Sequence, residues 1–140
     1  MDEDRELREA IAAADAALDS LERARRCLNS ARNWGIFDIV GGGFLSGLIK
    51  RSKMRDAQAE MEDARQRLLR FRRELADVDR IIDPDFANFD LTAFGDLFLD
   101  GFLFDLLAQG KIADARRQVE TAMSEVRRIR ARLTERLEGR

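Results

Sequence analysis

The chain has 140 residues, 37% of them charged and 45% hydrophobic, with one proline and no histidine or tyrosine. That length fits one domain able to bury a core, and the profile is that of a long-helix or coiled-coil protein. The net charge of −2 gives no global pull towards nucleic acid or an anionic membrane, and the missing histidine removes the commonest general base and zinc ligand.

The N-terminal stretch MDEDRELREA is acidic and polar, the opposite of a signal peptide. A first long helix is expected over about 4–32, with Asp2 and Asp4 supplying an N-cap and favourable charge at its start. Its seam reads Leu7, Ile11, Ala14, Leu18, Leu21, Arg25, Leu28 at heptad spacing, with Arg25 the polar intruder. Asn33 and Gly35 are the expected stop residues.

Next comes an apolar segment, Asn33–Lys50, holding Trp34 as a corner anchor and three consecutive glycines. A short helix is expected here. Ser52 is the expected N-cap of a second long helix over about 52–82. Its seam is Met54, Ala57, Met61, Ala64, Leu68, Phe71, Leu75, Val78, Ile82. Pro84 ends it, because the residue before a proline disfavours helix.

A second apolar segment, Phe86–Gly110, carries the cluster Phe86, Phe89, Phe94, Phe98, Phe102 and Phe104. Between Ile81 and Gly110 there are six aspartates and no Lys or Arg. Another short helix is expected, N-capped by Asp90, with Gly110 as the break before the third long helix over about 111–138. That helix has the seam Ile112, Ala115, Val119, Ala122, Val126, Ile129, Leu133, and Gly139 closes it. Alanines within the seams allow helices to approach closely.

The chain also repeats itself. Residues 36–75 and 94–133 align without a gap at an offset of 58, KMRDAQAEMEDA against KIADARRQVETA being the clearest stretch. Asp38 pairs with Asp96, Gly43 with Gly101 and Phe44 with Phe102, and about a third of all pairs are identical. The unit is a short Gly/Phe-rich helix folding back on the long helix after it. The expected architecture is therefore all-α: an antiparallel bundle of three long helices and two short ones. Its two helical hairpins (repeat 1 about 34–82, repeat 2 about 90–138) are related by a pseudo-twofold axis within one domain, 1–140.

The run Trp34-Gly35-x-x-Asp38-x-x-Gly41-Gly42-Gly43 and the stretch Phe94-x-Asp96-x-Phe98-x-Asp100-Gly101, each before a charged helix, resemble a group of small uncharacterised bacterial helical proteins. The resemblance covers about Leu18 to Leu133. It implies a bacterial cytosolic helical protein and brings no activity or ligand with it.

Candidate sites each have two readings. Asp38, Asp96 and Asp100 could bind a hard cation or perform acid/base work; equally, they cap helix ends. The glycines Gly43 and Gly101 suggest two backbones in close approach, and Trp34 and Phe102 are candidate hot spots of an interface or of the core. Cys27 beside Arg25 and Arg26 could be a reactive thiol, or a small seam residue. The arginine clusters Arg65–Arg73 and Arg127–Arg132 are flanked by acids, as on a solvated coiled-coil face. FLSGLI before Lys50, Arg51 and Lys53 is the one stretch suited to a membrane surface, and the run Ile39–Ile49 is too short to span one.

No catalytic, cofactor or metal set emerges. The expected function is a non-enzymatic structural or protein–protein interaction module in the cytoplasm, self-associating or binding a protein partner, without nucleic acid or small-molecule substrate. A peripheral membrane-associated protein is the alternative, and a cation or carboxylate site the second.

Overall fold

In the computed structural model the described residues are 2–41, 44–81 and 111–139, with side-chain surroundings described for 3–30, 55–78 and 111–139. All three stretches are helical: α1 spans Asp2–Gly41, α2 Phe44–Ile81 and α3 Ile112–Glu138. The described residues contain no strand. At 40 residues, α1 is about 60 Å long at 1.5 Å per residue.

The first short helix does not exist as a separate element. Residues 34–41 continue α1 and residues 44–50 open α2. Asn33 and Gly35 therefore lie inside α1, and Ser52 lies inside α2 instead of capping it. The physical reason is that a lone glycine costs only about 1 kcal/mol and still donates to the i→i−4 ladder. Gly42 and Gly43 lie outside the described residues. The second expected short helix, with Asp90 and Gly110, lies outside the described residues.

Helix α3 starts after Lys111, whose side chain makes no capping bond. It ends as expected at Gly139, whose N–H donates to the Glu135 carbonyl at 2.9 Å.

Helix α1 packs against both α2 and α3, forming one core. Along α2 the buried residues are Ala57, Met61, Ala64, Leu68, Phe71, Leu75 and Val78, the members of the predicted seam whose side chains are described. Along α3 they are Ala115, Val119, Ala122, Val126, Ile129 and Leu133, joined by Met123, with Ile112 and Leu137 packed alongside.

The seam of α1 needs correcting. Leu7, Ala14, Leu21 and Leu28 are fully buried, but the second row is Ala10, Ala17 and Ala24, with Ala13 and Ser20 beside it. Ile11 and Leu18 are only partly buried, and Arg25 keeps 36% of its side chain exposed. A helix wedged between two neighbours buries a wider arc than a two-stranded seam, so a third row joins the core.

Paired positions rise along α1 as they fall along α2. Glu6 and Glu9 lie with Glu74, Ser20 bonds Asp63, and Arg23 reaches Glu60. The same holds along α3, where Glu3 pairs with Arg136, Asp15 with Arg130 and Asn29 with Arg116.

Candidate functional site

The most connected polar site lies midway along the α1–α2 interface. Ser20 is completely buried, the one fully buried polar residue among those described. Its position in the third row of α1 places the hydroxyl against α2, where it donates to Asp63 Oδ2 at 2.6 Å. Arg23, one turn on, donates from Nη2 to Ser20 Oγ at 3.0 Å and to the same Asp63 oxygen at 2.9 Å. Its Nε reaches Glu60 Oε2 at 3.3 Å, and its Nη1 binds Asp19. Arg67 stands 3.9 Å from the other oxygen of Asp63.

Electrostatics follow the geometry. The Ser20 hydroxyl, helped by Arg23, holds the Asp63 carboxyl below the usual aspartate range against the opposing effect of partial burial. Arg23 is raised above its ordinary value, chiefly by Asp63 and Asp19. One serine, one guanidinium and three carboxylates thus form a closed set of donors and acceptors. This arrangement fixes the register of two helices.

At the start of α1 the charges conflict instead. Carboxylate oxygens of Glu6, Glu9 and Glu74 lie within 4.8 Å of one another. Glu6 Oε2 and Glu74 Oε2 are buried with no hydrogen-bond partner. Burial, followed by the charges of Glu9 and Asp77, pushes the Glu74 carboxyl above the usual glutamate range; Arg70 opposes this.

Between α1 and α3, Glu22, Arg25, Glu120, Met123, Ser124 and Arg127 line an open groove of about 300 Å³. Within it Arg25 donates to both Glu22 oxygens, at 2.9 and 2.8 Å. That fork holds Glu22 below its ordinary range. On the outward side of α2, a second groove of about 410 Å³ is lined by Gln66, Leu69, Arg72, Arg73 and Ala76.

Among the residues singled out from sequence, Trp34 and Asp38 lie on the helical backbone of α1, with their side chains outside the described set. Gly43, Asp96, Asp100, Gly101 and Phe102 lie outside the described residues, as does the rest of the phenylalanine cluster. Cys27 is half-buried and packs on the core. In the arginine clusters, Arg65 pairs with Glu62, Arg67 with Asp63 and Arg128 with Glu125. Sequence reasoning missed both the Ser20–Asp63 contact and the Glu6–Glu9–Glu74 cluster. A signal existed for the first: Ser20 sits seven residues after Ala13 on a row of small residues.

Among the described residues, no helix is long and apolar enough to cross a membrane. Fold and site together define a small all-helical protein whose helices are tied by interhelical polar contacts. Compared with known proteins, the chain matches no family model, no curated protein and no solved structure.

Proposed function

We propose that this chain is a non-enzymatic helical module that works by binding protein surfaces, first of all a second copy of itself, in the bacterial cytoplasm. The observation carrying this reading is the outward groove of α2. Leu69 is half-buried there, outside the set of core residues, one turn before Arg72 and Arg73, both exposed. An apolar floor with arginines along its edge is the composition enriched at protein interfaces. Sequence resemblance to small bacterial helical proteins supports the setting.

The finer architecture belongs to the same proposal: an antiparallel bundle in which α2 and α3 carry the repeated unit. Six buried positions of α2 recur in α3 at the repeat offset: Ala57 with Ala115, Met61 with Val119, Ala64 with Ala122, Leu68 with Val126, Phe71 with Ile129 and Leu75 with Leu133. The paired positions support both helices running against α1 in the same sense.

Light scattering after gel filtration tests the self-association. The expected result is a mass that rises above 16.0 kDa with concentration, and that Leu69→Asp with Arg73→Glu returns to the monomer value. A clean monomer at high concentration in the unaltered protein overturns it.

A further inference from the structure

We draw no further inference here: the strongest candidate, the cluster of Glu6, Glu9 and Glu74 where the start of α1 meets the end of α2, is a group of acidic side chains with nothing beside it that points to a ligand, Glu6 itself keeping 15% of its side chain exposed.

Discussion

Asp63, bonded by Ser20, and Glu74 sit on the same interface, and their carboxyls are shifted in opposite directions. Replacing Ser20 with alanine removes one donor from Asp63, a loss of about 1 kcal/mol, part of which alanine's better helix propensity returns, roughly 0.5 kcal/mol. Asp63→Ala removes the acceptor of two donors and strands a buried hydroxyl, so it should cost more, about 1–3 kcal/mol. Urea midpoints at neutral pH check the order; equal losses would mean that neither the Arg23 contact nor the stranded Ser20 hydroxyl adds to the cost of removing Asp63. The pH signs follow from linkage. Asp63 is depressed when folded, so its contribution is present above the ordinary aspartate range and is lost as pH falls through its folded value. Glu74 is raised when folded, so it favours the folded state below the ordinary glutamate range. That contribution disappears as pH rises through its folded value. Glu74→Gln should therefore stabilise the protein at pH 7, by roughly 0.5 kcal/mol on the scale of like-charge helix contacts. It should also flatten the rise in stability on mild acidification, read as urea midpoint against pH. A midpoint at pH 7 that falls on substitution would show that the carboxylate is paired in solution.

At the scale of the helices, legibility depended on how many neighbours each one has. Helices α2 and α3 each bury a narrow stripe against α1, and the seam residues of α2 whose side chains are described lie on it. In α1 the heptad seam runs through Ile11, Leu18 and Arg25, which are only partly buried. Ala10, Ala17 and Ala24 are buried because the helix has company on two sides, and nothing local in a sequence announces that. Helix ends are hard to read locally for a related reason. Asn33, Gly35 and Ser52 are weak local preferences, worth about 1 kcal/mol each, and a continuous helix overrides them. The Ser20–Asp63 contact was invisible because it spans 43 residues of sequence. Alanine at these positions is an active requirement of the packing. Ala17→Leu pushes extra methyl groups into a fully buried site and should cost about 1–3 kcal/mol. Ala16→Leu, one residue away and only half-buried, should cost under about 0.5 kcal/mol. Thermal melts followed by circular dichroism separate the two; equal melting temperatures would show that the alanine row is not the contact surface.

For the molecule as a whole, α1 is the shared partner. The offset of 58 at which the two stretches of sequence align makes its two flanks comparable. Shifted by the offset, Arg116, Arg130 and Arg136 of α3 correspond to Gln58, Arg72 and Val78 of α2. Their α1 partners then fall within about one helical turn of the line set by Glu60, Asp63 and Glu74. The flanks differ in bulk: Met61, Leu68 and Phe71 on α2 face the roles that Val119, Val126 and Ile129 hold on α3. Met123, which stands at the repeat position of Arg65, adds apolar volume on the α3 side. Backbone contact between described elements runs through α1 on both sides, and α2 and α3 make none with each other. Leu21 of α1 is fully buried in the core to which all three helices contribute. Leu21→Ala should leave a cavity in that shared core, at a cost of about 2–5 kcal/mol. Native-state hydrogen exchange should show amide protection falling in α2 and α3 alike, by similar amounts. Loss of protection confined to α3, with α2 unchanged, would instead make α1 and α2 a unit that holds without the third helix.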